Sequence, residues 1–463
     1  MRITFSRRPD PVGGPTRNGT FTHVMDTASD ADVPSPGRRT YAEQLQDTLA
    51  YAVANIPWYR ERADAYLGPM DTLEDLARRP IIDRSMVMAD QRAFAGSDEW
   101  PSAISYSSST TGGIGQPRWR TSAEQQAIVD HLGPPADRDG VTLVIHPFDQ
   151  GPPLLPPGAV NRVYVGMFVP WHFDLIHQML AEGWSSPTGR VPVTTVDCFS
   201  PGLRILTDWF DQRGIDPASF GVRHLLGYGS IQPRPWRRRL EAAWGAGYTD
   251  MYGLSEVTLS DAAECPLCHA FHFPLPIVPE VVDPVNRVPI DRGTGVLLLT
   301  ELHPFAQLQL LMRYWTDDLV ELARPCPLGG FGIFLRGRRS MSAVVERPDG
   351  PPLVVGALQV GELCAELPDV ALGPIPWAPW AHDVGGPRFS LTSSVAGAPE
   401  VRVRVELRYQ PALHPTRAAA VRDELLRSMR DEITDLAGAV DAGHLHLTVD
   451  AVGPGGLDEA VKV

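Results

Sequence analysis

The stretch Asp250-Met-Tyr-Gly-Leu-Ser-Glu256 sets an aromatic ring, a glycine, a hydroxyl and a carboxylate within five consecutive positions, Tyr252 to Glu256. By itself it reads as the end of a strand followed by a turn. Upstream of it, the apolar runs Val141–Ile145 and Val160–Val169 alternate with helical stretches such as Trp171–Leu180. Strand and helix in alternation predict a large α/β unit of helices and mixed, partly parallel sheets.

Downstream the pattern changes. Val401, Val403, Val405 and Leu407 alternate with Arg402, Arg404, Glu406 and Arg408, the period of a half-buried strand. Val421, Leu425, Met429, Ile433 and Leu436 then mark one helix face, and Leu445, Leu447 and Val449 alternate again. With a hairpin around Ala396-Gly-Ala-Pro-Glu400, this is a small α+β unit. Gly337-Arg338-Arg339-Ser340 reads as the hinge before it. Residues 1–38 are rich in Pro, Gly, Asp, Ser and Thr, lack periodicity, and read as a flexible tail. The expected division is therefore a tail over 1–38, a large unit over 39–337 and a small unit over 338–463. A helix begins near Thr40, with Leu45, Leu49, Ala52, Val53 and Ile56 at helical spacing, and Pro57 ends it.

Composition narrows the function. A chain of 463 residues is too long for one core, and 43% hydrophobic with 21% charged residues is globular. Its formal charge of −14 argues against a nucleic-acid partner, whose phosphates select basic surfaces. No apolar run reaches the ~18 residues of a membrane span. The first ten residues hold no signal-peptide core, so a cytoplasmic protein is expected. Lys462 is the single lysine, arginine supplying every other basic side chain. Five cysteines argue against a disulfide scaffold. Cys198 and Cys364 read as packed thiols.

Tyr106-Ser-Ser-Ser-Thr-Thr-Gly-Gly-Ile-Gly-Gln-Pro117 concentrates hydroxyls and glycines between structured regions. Such a run is most often a solvated linker, yet its N–H groups and hydroxyls can cradle phosphate oxygens. It is no Walker loop, lacking the Gly-Lys-Ser/Thr ending.

Ser107 to Gly112 (Ser107, Ser108, Ser109, Thr110, Thr111, Gly112) resembles the Ser-Ser-Gly-Thr-Thr-Gly-Lys-Pro loop that grips ATP phosphates in adenylate-forming enzymes: acyl-CoA synthetases, peptide-synthetase adenylation domains and luciferases. Ser109 replaces a glycine, and the lysine before Pro117 is missing unless Arg118 or Arg120 substitutes. Asp250–Glu256 resembles the Tyr-Gly-Leu-Ser-Glu motif of the phenylacetate–CoA ligases. That resemblance implies that Tyr252 stacks on adenine, that Gly253 and Ser255 approach the α-phosphate, and that Glu256 holds Mg²⁺ through a hard oxygen. Arg313-Tyr-Trp-Thr-Asp-Asp-Leu319, after Gly295-Val-Leu-Leu-Leu-Thr-Glu301, is similar to the family's Arg-Tyr-Arg-Thr-Arg-Asp-Leu segment. It implies that Asp318 accepts from the ribose diol, while Asp317, at a family arginine position, is solvated. Gly337-Arg338 is similar to a hinge whose arginine reaches ribose or phosphate, and Ser340 stands where the hinge aspartate usually sits.

The resemblance runs from about Tyr41 to the C-terminus. It implies ATP-dependent activation of a small, aromatic carboxylic acid as acyl-AMP, with pyrophosphate released, then transfer to the thiol of CoA. The acyl pocket would use Tyr164–Phe173, with Trp171 and His172, together with Gly229 and Ser230. A loop tied to the thioester step departs from the pattern at Val345–Pro352, so an amine or a carrier protein is the alternative acceptor. A catalytically weakened nucleotide-binding protein is the rival. Lys462 is either the lysine that neutralises charge during adenylation or a frayed terminal residue. Cys265-Pro-Leu-Cys268, His272 and Cys326 have the composition of a structural Zn²⁺ site, which by its nearness to Glu256 would brace the nucleotide pocket. The oligomeric state stays open, a homodimer among the assemblies allowed.

Overall fold

The computed structural model describes residues 41–461 except 71, 97–99, 107–114, 133–139, 147–161, 168, 188, 259, 274–275, 348–349, 376–377, 379–380, 382, 395–398 and 458–459. The expected tail, the loop Ser107, Ser108, Ser109, Thr110, Thr111 and Gly112, and Lys462 lie outside the described residues. Helix α1 (Tyr41–Asn55) runs to the break at Ile56, and Pro57 opens a further turn to Arg60. Its fixed φ and missing N–H suit a first helical position, so the proline ends one helix and starts the next.

Strands β1 (Ala103–Tyr106) and β2 (Pro117–Arg120) form an antiparallel hairpin, the stem of the Ser/Thr/Gly loop. After α2 (Ser122–Leu132) come β3 (Val141–Ile145), β4 (Arg162–Val165), α3 (Pro170–Glu182) and a ribbon of β5 (Trp184–Ser186) and β6 (Gly189–Val191). Then follow β7 (Val193–Phe199), α4 (Ser200–Asp211), β8 (His224–Tyr228), α5 (Arg234–Trp244) and β9 (Gly247–Tyr252). Two short strands, β10 (Ala262–Glu264) and β11 (Phe271–His272), precede β12 (Ile277–Val282), β13 (Thr294–Glu301), β14 (Tyr314–Leu322) and β15 (Gly332–Arg338).

Among the described residues, eleven of these strands make one sheet in the order β12-β13-β14-β15-β11-β10-β9-β8-β7-β3-β4. From β9 to β4 every pairing is parallel; from β9 to β12 every pairing is antiparallel. The apolar β3 and β7 suit the parallel half, whose strands are covered by α3 and α4. The antiparallel half packs on α1 through Leu297, Leu299 and Leu310. Within the antiparallel half the ladder narrows to a seam, where β11 pairs with β15 only through Phe271–Ile333 and His272–Gly332.

A third core begins at Ala343. It holds β18 (Phe389–Ser394), β19 (Glu400–Glu406) and β20 (His446–Val452), reached through β16 (Ala343–Val345), β17 (Leu353–Val355), α6 (Ala357–Ala365) and α7 (Pro415–Glu432). The expected strand–helix–strand is present, with one correction. The helix stops at Glu432, because Ile433 is extended and Asp435 takes φ 63, so Leu436 starts a separate helix.

One carboxylate ties the elements around the site. Glu301, at the end of β13, accepts from the Arg118 guanidinium at 2.7 Å, the Thr258 N–H at 2.5 Å and the Leu311 N–H at 2.7 Å. The Arg118 and Glu301 side chains are each 1% exposed. Arg118 also donates to the Thr258 hydroxyl at 2.9 Å. The hairpin stem, the loop after β9 and the approach to β14 are thus held at one point. Removing one partner of a buried pair strands the other, so Arg118→Ala and Glu301→Ala should each lose about 3–5 kcal/mol. Chemical denaturation should also show the double variant Arg118→Met/Glu301→Leu losing less than either single one. Single variants as stable as the parent would contradict the assignment.

Candidate functional site

The ends of β7, β8 and β9 open on one side of the sheet, the side where open α/β sheets receive ligands. Gly229 and Ser230 follow β8, and the loop from Gly253 to Asp261 follows β9. Gly229 takes φ 81, which an L side chain rarely adopts. The Ser230 carbonyl accepts from the Ser200 hydroxyl at 2.5 Å, while its own hydroxyl is buried with no partner among the described residues. The Ser260 hydroxyl accepts from the Leu254 N–H at 2.7 Å and donates to its carbonyl at 3.1 Å, closing the loop on itself. Ser255 and Glu256 sit half-buried on it.

Three distant segments meet across the seam. The Tyr252 hydroxyl, at the end of β9, donates to Asp318 on β14 at 2.8 Å. Arg338, the register partner of Asp318 on β15, stands 3.7 Å from the same carboxylate. The Glu256 charge acts on Tyr252, Asp318 and Tyr314. Tyr252, Glu256, Asp318 and Arg338 therefore share one site, as their sequence spacing alone could not show. The Tyr252 ring is 7% exposed and packs edge-on against Phe273 at 5.8 Å. What it offers the site is its hydroxyl, which aims Asp318, rather than a free face for stacking.

Further expectations are corrected. Arg118 is no replacement for the missing loop lysine, since Glu301 and Thr258 occupy it. Asp317 is not simply solvated. Its carboxylate accepts from the Ser340 hydroxyl at 2.6 Å and the Ser340 N–H at 3.3 Å. Between them, Gly337 takes φ 116, and a Cβ there would stand 2.8 Å from the Leu358 nitrogen at the start of α6. Only glycine lets β15 turn against that helix. The expected acyl pocket also loses Phe173, which is buried in the core under the parallel strands, whereas Trp171 is 60% exposed at the start of α3. Sequence reading missed Glu301, Asp197, Arg162 and Asp261. No local pattern marks them.

Cys265, Cys268, His272 and Cys326 converge, with all four ligand atoms within 4.8 Å of one another. The Cys265 and Cys326 sulfurs are 3.8 Å apart, and Cys268 Sγ lies 3.2 Å from His272 Nε2. A disulfide needs about 2.05 Å, whereas tetrahedral zinc with bonds of ~2.3 Å sets its sulfurs about 3.7 Å apart. This donor set and spacing could hold such a metal. Cys265 and Cys268 lie in the β10–β11 turn and Cys326 precedes β15, so the cluster spans the seam.

The described residues share their fold with solved CoA ligases. No protein-family model matches the chain. The curated proteins it is similar to are phenylacetate–coenzyme A ligases: that of Aromatoleum evansii, 29% identical over 262 residues, covering 51% of this chain and 53% of that protein, and that of Pseudomonas putida, 26% identical over 320 residues, covering 62% and 68%. The chain thus spans about half the length of the first. Among solved structures, an open 2-hydroxyisobutyryl-CoA ligase in complex with 2-HIB-AMP and CoA superposes with TM-score 0.64 at 15% identity, covering 93% of this chain and 95% of that one. The same ligase in a postadenylation state with 2-HIB-AMP gives 0.60 at 15% identity, with 94% and 93% covered. No helix of the described residues is long and apolar enough to cross a membrane.

Burial pushes the Asp318 carboxyl up to about 6, against the Arg338 guanidinium and the Tyr252 hydroxyl. Its folded pKa lies above the ~3.9 of an unfolded chain, so the folded protein holds this proton more tightly. Stability is then greatest below that lower value and is lost as pH rises through about 6. Asp318→Asn escapes the penalty. Its melting temperature relative to the parent should rise between pH 4 and pH 7, corresponding to about 1–3 kcal/mol. A constant difference between variant and parent across that range would contradict this.

Proposed function

We propose that the chain activates a small carboxylic acid, aromatic as the names of its curated relatives imply, by attack on the α-phosphate of ATP. Acyl-AMP forms and pyrophosphate leaves; the thiol of CoA then takes the acyl group and releases AMP. The observation that carries this reading is the Tyr252–Asp318–Arg338 grouping beside Glu256. A carboxylate held by a hydroxyl and a guanidinium is aimed to accept from a vicinal diol. Asp318 takes the ribose, Tyr252 positions it, and Arg338 adds a cation toward ribose or phosphate. Glu256 offers the hard oxygen that suits Mg²⁺, which when bound neutralises charge on the phosphates. Ser107–Gly112, on the stem fixed by Arg118, and Ser255 bind phosphate oxygens. Gly229 and Ser230 border the acyl group, and Lys462 supplies the cation of the adenylation step.

The boundary between a large and a small unit near residues 337–338 belongs to the same reading. Cytoplasmic location and a homodimer fit it too. So does zinc at Cys265, Cys268, His272 and Cys326. All four ligands sit outside the reacting groups, so zinc there serves the seam and takes no part in the chemistry.

Incubation with ATP, Mg²⁺ and an acid panel should release pyrophosphate, and Asp318→Ala and Glu256→Ala should each lower the rate by about a hundredfold or more. With CoA present, acyl-CoA should form. Hydroxamate trapping without acyl-CoA would transfer the assignment to an amine or carrier-protein acceptor. Nucleotide binding with no pyrophosphate from any acid would overturn the catalytic reading.

Metal analysis of the purified protein should find one zinc per chain, and Cys326→Ser should lose it and melt earlier. Cobalt exchange should give thiolate-to-metal absorption. Metal-free protein with the parent's melting temperature would remove zinc from the proposal.

A further inference from the structure

One face of the parallel half supplies the apolar core: Leu143, Ile145, Val165, Val196, Cys198 and Leu225. The opposite face carries charge. Asp197 is the register partner of Val144 on β3 and Leu226 on β8. Arg162 on β4 reaches over β3 to it, with Nη1 3.7 Å from the carboxylate. These side chains are 24% and 14% exposed, the floor of a cleft rather than a surface pair.

Two more charges close on that floor. Asp261 stands at the neck of the loop, where β10 returns against β9 and Ala262 pairs with Tyr252. Its Oδ1 would be 2.6 Å from a Cβ on Gly253, so the motif glycine makes room for this carboxylate. Asp261 is open to solvent, and among the described residues no side chain donates a hydrogen bond to it. Arg120, from the stem of the phosphate loop, is 8% exposed. Its Nη1 donates to the Thr258 hydroxyl at 2.6 Å, while its Nε is buried without a partner. Arg120 and Arg162 act on Asp261, and Asp261 acts on Asp197, so the four share one cleft. Desolvation by the protein around them raises both carboxyls, Asp197 to about 6, although Asp261 keeps an accessible surface, the combination a recessed site gives.

An unsubstituted phenyl ring filling this cleft would strip the remaining water from two carboxylates and two guanidinium groups and return no hydrogen bond. A ligand that brings its own polar group would satisfy them. We propose that this cleft selects an acid carrying a second polar group, a hydroxyl or amino donor received by Asp261, over the unsubstituted aromatic acid. The proposal rests on the reading of the chain as an acyl-adenylating enzyme and names the substrate class of that site. Arg162 and Asp197 would face the same substituent from the floor, and Arg120 would close the cleft from the phosphate side. A donor meeting an otherwise unpartnered carboxylate is the kind of contact by which a site rejects the analogue lacking it.

The test is pyrophosphate release by the full chain over matched pairs: phenylacetate against its hydroxy and amino derivatives, and benzoate against the aminobenzoates. Donor-bearing acids should show kcat/KM about 10- to 100-fold above their unsubstituted partners. Hydroxy acids and acids with a cationic ammonium separate a neutral donor from a charged one, and either preference supports the proposal. Asp261→Asn and Asp261→Ala should shrink the ratio to about threefold or less, with AMP binding by calorimetry intact as the check on folding. Equal or greater activity on the unsubstituted acids overturns the proposal and leaves adenylation standing. So does a preference that survives both variants. Failure of every acid in the parent protein removes adenylation, and this proposal with it.

Discussion

The buried Glu301 carboxylate is the point on which the site's geometry depends. It collects a guanidinium from the β1–β2 hairpin stem, an N–H from the loop after β9 and an N–H from the segment leading into β14. Burying a charge pair gains little net stability against apolar residues of equal volume, because both ions lose their water. What such a pair supplies here is position. Three segments far apart in sequence share one acceptor with fixed lone-pair directions, so none can shift without leaving a buried donor unmet. The loop carrying Glu256 and the strand carrying Asp318 are both held this way. Their alignment follows from the fold before any ligand arrives.

The second constraint is the seam. The sheet narrows inside its antiparallel half, where β11 and β15 are joined by a pairing of only two residues on each strand. The candidate site lies over this weak line, with Tyr252 on one side and Asp318 and Arg338 on the other. Two cross-links compensate. The Tyr252–Asp318 hydrogen bond spans the seam at the site itself, and the Cys265, Cys268, His272 and Cys326 cluster brings the β10–β11 turn against the approach to β15. The cluster lies at the edge of the seam, away from the open strand ends.

Much of this was legible in the sequence. The β3 and β19–β20 patterns, the loop after β9 and the Cys-x-x-Cys turn are local, and period or spacing reveals them. What stayed hidden was pairing at a distance. Arg118 drew attention as a substitute cation, but its partner is 183 positions away and nothing near Glu301 announces it. Asp317 and Ser340 each look like an isolated departure from the family pattern. In space they meet, a hydroxyl and a carboxylate where the resemblance sets an arginine and an aspartate, so two odd residues make one hydrogen-bonded hinge contact. The charged cleft was equally invisible, because Arg120, Arg162, Asp197 and Asp261 come from four separate segments.

Two kinds of contact join the parts of the molecule. Within the large sheet the pair at Arg118 and Glu301 is 1% exposed on both sides. Between α5 and the C-terminal core, Arg234 meets Glu432 at 2.9 Å and Arg238 meets Glu366 at 2.9 Å, all with 38% or more of the side chain in water. Exposed pairs of this kind contribute about 0–1 kcal/mol each and weaken with salt. Just before that core the chain turns at Gly337, whose φ of 116 is open only to a residue without a Cβ, and then at the Asp317–Ser340 contact. The joint is mixed: beside those solvated pairs, Ile375, Ala378, Ala381 and Val384 pack into the core under the parallel strands, and the buried Arg204 guanidinium donates to the Gly385 carbonyl at 3.0 Å, so desolvated contacts hold this side too.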